Sequence, residues 1–153
     1  MSTSGLTASI PFPETDARRR AITREIEART GLDDAQLERL VRAFYTRARQ
    51  DAEIGHLFDH VQDWEHHISK ITAFWSSVAL LTGRYHGQPL AAHLPLPLEP
   101  PHFQRWLALF EATAQDECSP EGVAWLMEKA HRIARSLELG VSVTRGVLPE
   151  RRR

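Results

Sequence analysis

The sequence predicts an all-α fold, and three observations carry that prediction. Apolar residues recur at steps of three and four along several separate windows. Helix starts are signalled by Asp33, by Asp63 and by Ser119 with Pro120, and stops by Gly31, Gly83 and Gly140. No window alternates apolar and polar residues over the length of a strand, and no internal repeat is present.

Residues 1–14 are small, polar and proline-punctuated, which predicts a flexible N-terminal segment. A peripheral helix follows over 15–30, capped by Thr15 or Asp16, with only Ile22, Ile26 and nearby alanines as an apolar edge. Asp33, with Gln36 three residues on, has the spacing of a capping box. It opens a helix whose stripe is Leu37, Leu40, Val41, Phe44, Tyr45 and Ala48. Tyr45 is the anomaly there, because a hydroxyl carried into a core needs a partner. The bland reading gives it a backbone carbonyl.

After a connector containing Gly55, the chain reaches DWEHHISKITAFWSSVALLTGRYHGQPLAAHL, residues 63–94. Trp64, His67, Ile71, Phe74 and Val78 share one helix face, so His67 sits in an otherwise apolar stripe. From His67 to Gly83 the helix travels ~24 Å at ~1.5 Å per residue. The next nine residues span up to ~30 Å if extended, enough to bring His93 back opposite His67. Pro89 starts a short helix that Pro95 ends, and Pro95, Pro97, Pro100 and Pro101 predict a stiff, extended brace after His93. The next helix covers 102–117, with Phe103, Trp106, Leu107, Phe110 and Ala114 on one face. The last runs from Pro120 to Gly140, with Val123, Leu126, Met127, Ala130, Ile133, Ala134 and Leu137 inward. The sequence thus divides into a single domain over 15–140 and a solvated basic tail over 141–153.

Composition narrows the function. The chain has 153 residues, 42% hydrophobic and 25% charged, which suits one globular domain. A net charge of -1 and a pI near 6.7 give no reason to expect nucleic acid or an anionic membrane. No signal peptide is visible, and the uncharged run from Ile71 to Gly83 is shorter than the ~20 residues a bilayer requires. Cys118 is the single cysteine, so an intrachain disulfide, a cysteine-rich cluster and a Cys-x-x-Cys-His haem attachment are all excluded. A reducing cytoplasm is the natural setting.

Among eight histidines, His56 and His60 lie four apart near Asp59 and Asp63, a spacing that holds zinc on a helix. Gly55 interrupts that segment, and two solvated histidines are the simpler reading. His66, His102 and His131 read as surface or helix-start residues. His67 alone would be a core histidine, His93 alone a loop residue and Lys70 alone a solvated lysine. Together with Ile71, Phe74 and Trp75 they outline a slot for a flat, apolar, iron-bearing cofactor. Haem needs an imidazole, an apolar slot and a cation for its propionates.

Several pieces of the chain resemble the group III truncated haemoglobins: AFYTRARQD, the LF of GHLFD, DWEHHISKITAFWSSVALLTGRYHGQP, the following HLPLP, HFQRWLALFEAT and AHRIARSL. The resemblance covers most of the chain beyond the first thirty residues. It implies a truncated globin fold, helix on helix around non-covalent haem b, with an additional N-terminal helix. By position, His93 matches the iron ligand, and Tyr45, Trp106 and His67 match distal groups that stabilise bound ligand. Phe58, Phe74 and Trp75 match the pocket wall and Lys70 a propionate partner; Phe44, Ile71, Leu90, Phe103 and Ile133 complete the expected cofactor contacts. The family connector Gly-Pro-Ile-Phe reads Gly55-His56-Leu57-Phe58 here. The implied function is binding of O₂, NO and CO, with oxidation of nitric oxide or reaction with peroxide also allowed and a reductase as the implied partner. Whether His67 gates the pocket, binds iron or stays packed is left open. A cofactor-free helical interaction module and a non-haem metal protein using His56 and His60 are the rivals.

Overall fold

The structure is a computed structural model that describes residues 12–146. Among these, the chain forms α1 (Phe12–Thr30), α2 (Asp34–Ala48), a 3-10 turn (Gly55–Phe58), α3 (Trp64–Leu80), α4 (Pro89–His93), α5 (Pro100–Glu117) and α6 (Pro120–Thr144), with no strand. No helix among the described residues is long and apolar enough to cross a membrane.

The predicted starts hold for physical reasons. Asp33 accepts from the Gln36 amide at 2.7 Å, Asp63 from the His66 amide at 3.0 Å and Ser119 from the Gly122 amide at 3.1 Å. The reciprocal half of a capping box is missing at Asp33, because the Gln36 side chain donates instead to the Glu117 carbonyl. α2 buries Leu37, Leu40, Val41, Phe44, Tyr45 and Ala48, the stripe expected from their spacing.

The ends differ from expectation. α1 begins at Phe12 rather than 15, since a proline is tolerated in a first turn; the rest of the expected flexible segment, 1–11, lies outside the described residues. α3 stops at Leu80, not Gly83. Leu81 turns left-handed at φ 58°, Ser76 pairs with Thr82 at 2.6 Å, and Thr23 of α1 donates to the Leu80 carbonyl at 2.6 Å. α5 starts two residues before His102, at Pro100, because prolines fit a first turn whose amides have no intrahelical partner. Those two prolines are therefore helical, not part of an extended brace. α6 passes through Gly140 to Thr144, and Val141 is 3% exposed, so residues 141–144 are helix rather than tail. The expected basic tail beyond residue 146 lies outside the described residues.

α2 packs on α3 and α5, α5 on α6, and α1 lies across α3 and α6. Phe110, Leu37, Leu40, Leu80 and Leu126 are fully buried at the centre. α1 buries Ile26 while Ile22 stays exposed, as a peripheral helix should. Gly55 lets the connector pass α2: a Cβ there would lie 2.7 Å from the Arg49 carbonyl oxygen. Beyond that turn, Leu57 is buried and Phe58 packs against the core.

Candidate functional site

α3 has two working faces. Ile68, Thr72, Trp75, Ser76, Ala79 and Leu80 are buried in the bundle. Trp64, Ile71, Phe74 and Val78 are half-buried against it, and His67 lies among them. The face carrying His67, Lys70, Ile71 and Phe74 looks into a cleft whose other walls come from α2, the connector, α4, α5 and α6. The cleft offers about 220 Å³ to the centres of water-sized spheres. One water needs only ~10–15 Å³, so this is not a packing defect.

α4 brings His93 to this cleft. Pro89 occupies its first turn, and the His93 Nδ1 lies 2.5 Å from the Pro89 carbonyl oxygen, four residues back. A carbonyl only accepts, so Nδ1 donates, and in the neutral ring Nε2 carries the lone pair. The free nitrogen of an imidazole held in this way can bind a metal.

Tyr45 and His67 meet in the same cleft. Their ring centroids are 4.9 Å apart, and Tyr45 also packs on Phe44, Phe58 and Trp64 at 5.1, 5.4 and 5.5 Å. Among the described residues nothing hydrogen-bonds the Tyr45 hydroxyl, so the backbone-carbonyl reading is not what the structure holds. Burial raises its pKa well above the ordinary phenol value, which keeps it a protonated donor. The His67 Nε2 is buried and also lacks a partner. Desolvation first, then Lys70, His60, His66 and His93, push its pKa down to about 4, so the ring is neutral. The buried, unpartnered His67 Nε2 on an apolar cleft points to a ligand that the protein side alone does not supply.

Trp106 lines the cleft from α5 and belongs to a stack of parallel rings. It lies 5.1 Å from Phe110, which lies 4.8 Å from Trp75. Phe44, Phe58, Phe103 and Ile133 line the cleft as expected, and the exposed Lys70 stands at its edge. Leu90 does not. It turns toward α6, where its methyl groups press on Gly140, because Pro89, Ala92 and His93 occupy the arc of α4 that faces the cleft.

Sequence reasoning missed several lining residues. Phe110 lies one turn beyond Trp106, a signal that was available; Tyr85, Leu96 and Leu98 sit in loops where no periodicity points inward. His60 reaches the cleft edge rather than pairing with His56, whose ring instead lies 5.8 Å from that of His102. Among the described residues no group of three or more His, Cys, Asp or Glu is placed to hold a metal ion. The donor set thus suits a cofactor that brings its own metal and needs one imidazole.

Comparison with known proteins agrees with this geometry. Residues 29–137 match the family model for bacterial-like globins. The chain is 32% identical over 109 residues to the group 3 truncated hemoglobin ctb of Campylobacter jejuni, covering 67% of this chain and 86% of that one. Its fold is similar to the crystal structure of the group III truncated hemoglobin from Campylobacter jejuni, with a TM-score of 0.65 and coverage of 70% and 89% of the two chains.

Proposed function

The chain belongs to the bacterial-like globins, as a group III truncated haemoglobin, and on that premise we propose that it holds haem b through His93 and binds dioxygen and other small diatomic ligands. The observation that carries this reading is the His93 contact: Nδ1 lies 2.5 Å from the Pro89 carbonyl oxygen, which leaves Nε2 free for iron on the wall of an aromatic cleft. When bound, the haem supplies an iron that coordinates diatomic molecules and exchanges electrons with them.

The chain's own residues then do the rest. Phe58, Ile71, Phe74, Trp75 and Phe103 offer the apolar walls that a porphyrin replaces water to meet. Lys70 stands at the cleft edge, suited to a carboxylate of the cofactor. Tyr45 brings a donor to the cleft from α2 and Trp106 an indole N–H from α5; a diatomic with partial negative charge is favoured by both. His67, neutral above about pH 4, donates or accepts without adding a charge. Oxidation of nitric oxide to nitrate would need a reductase to restore the haem at each turnover, and reaction with peroxide would need a reducing substrate. The single Cys118 supports a reducing cytoplasmic setting.

The test is the absorbance of purified variants. His93→Gly should lose the intense haem band or shift it, with recovery on adding imidazole, whereas His56→Ala and His60→Ala keep the band. A His93→Gly protein with the parental spectrum would move the ligand elsewhere, and a colourless parental protein that takes up no added haem would overturn the proposal.

A further inference from the structure

We propose that the end of α6, from Gly140 to Arg145, is a positioning device for His93. It rests on the reading of His93 as the haem ligand and asks what holds that side chain still.

α4 is five residues long, and its cap residue Gln88 makes no side-chain hydrogen bond to it. A helix that short has no stability of its own, so packing must supply it. α6 does so at two points. Leu90 rests on Gly140, where an added Cβ would lie 2.8 and 3.0 Å from the two Leu90 methyl carbons. A glycine inside a helix weakens it, and here it leaves room for the Leu90 side chain against α6.

The second point is the chain leaving α4. Arg145 donates through Nη2 to the Leu96 carbonyl at 2.9 Å and through Nη1 to the Leu98 carbonyl. The Leu96 amide in turn donates to the His93 carbonyl at 3.1 Å. One guanidinium fork therefore fixes the strap that begins at His93, and the strap's Leu96 and Leu98 side chains line the cleft. Among the described residues Arg145 has no carboxylate partner, so its hydrogen bonds here go to this strap. Val141, 3% exposed, anchors the same turn in the core. These residues lie beyond the span 29–137 that matches the family model.

Two measurements on the full-length protein test this. Amide hydrogen exchange across residues 88–99 needs no haem chemistry, so it reads correctly even if His93 proves not to be the ligand. Haem transfer to an excess of a scavenging apoprotein, with the iron–imidazole stretching band of the ferrous protein, reads the effect on the ligand. Gly140→Ala and Arg145→Ala should each speed exchange in 88–99 and accelerate haem loss roughly three- to tenfold, the size expected for one hydrogen bond or contact. Both should also broaden or shift the iron–imidazole band. Arg145→Lys should act partly, because an ammonium cannot bridge both carbonyls as a fork. Leu90→Ala should itself speed exchange in 88–99, because it removes the contact of α4 with α6. Unchanged exchange in 88–99 in Arg145→Ala, or exchange raised equally over the whole chain, would each overturn the proposal.

Discussion

The phenol of Tyr45 sits among four rings with no hydrogen-bond partner among the described residues, and its burial keeps it protonated. Such a donor is costly to bury unless something in the cleft accepts from it. Bound dioxygen carries partial negative charge and accepts a hydrogen bond, whereas bound carbon monoxide is nearly apolar. A hydrogen bond to a charged acceptor contributes ~1.5–3 kcal/mol, which is roughly ten- to a hundredfold in a dissociation rate. Tyr45→Phe should therefore speed O₂ release by that factor and CO release much less, measured by stopped-flow displacement. An unchanged or slower O₂ release would remove Tyr45 from this role. Trp106→Phe should act in the same direction and non-additively, since the proposed site gives both donors one ligand to serve. At this scale the sequence was legible where helical spacing aims a side chain, as for Tyr45, His67 and Trp106. It was not legible for Leu90, because α4 is too short for periodicity to say which side faces the cleft.

Helix starts and stops behaved differently, and the reason is locality. A start is written by one side chain accepting from an amide three residues on, as Asp33, Asp63 and Ser119 do. The stop of α3 is written partly by Thr23, which is 57 positions away in the chain. Gly83 and Gly140 therefore misled as stop signals: Gly140 serves close approach to Leu90 instead. Gly55 is another glycine with a close approach, and it governs the connector that delivers Phe58 to the cleft. An alanine Cβ there would meet the backbone oxygens of Arg49 and Ala48 at 2.7 and 3.3 Å, and backbone cannot swing aside as a side-chain tip can. Gly55→Ala should destabilise the fold by ~1–3 kcal/mol through overpacking, read as a lower urea midpoint with an unchanged slope. A variant with parental stability would mean that the connector shifts freely and that Phe58 is not held by it.

At the scale of the whole molecule, the cleft exists because α2, the connector and α5 are kept in register, and Asp51 joins all three. One of its oxygens accepts from Arg105 of α5 at 2.9 and 2.7 Å; the other accepts from the Glu53 and Ile54 amides at 3.0 and 3.1 Å. Its side chain is 6% exposed, whereas Arg105 is 40% exposed. The periodicity that exposes a helical stripe is blind to such a residue, since Asp51 lies in a connector and its partner is 54 positions on. The Arg105 hydrogen bonds first, with the two amides, hold the Asp51 pKa below its ordinary value. A carboxylate with a lowered folded pKa contributes stability that is present above the unfolded value and fades as pH falls through the folded one. His67 acts in a higher window: with a folded pKa near 4 against an ordinary 6.5, it costs stability as pH falls between those values. Comparing Asp51→Asn with the parent cancels the His67 contribution and isolates the brace. The variant should be less stable by about 1–3 kcal/mol at pH 7. That deficit should persist at pH 5 and shrink below about pH 4, as the unfolded carboxylate, and at lower pH the folded one, takes up its proton. Urea unfolding at pH 7, 5 and 3 measures it, and a deficit that stayed constant across all three would show that shape rather than charge holds these elements together.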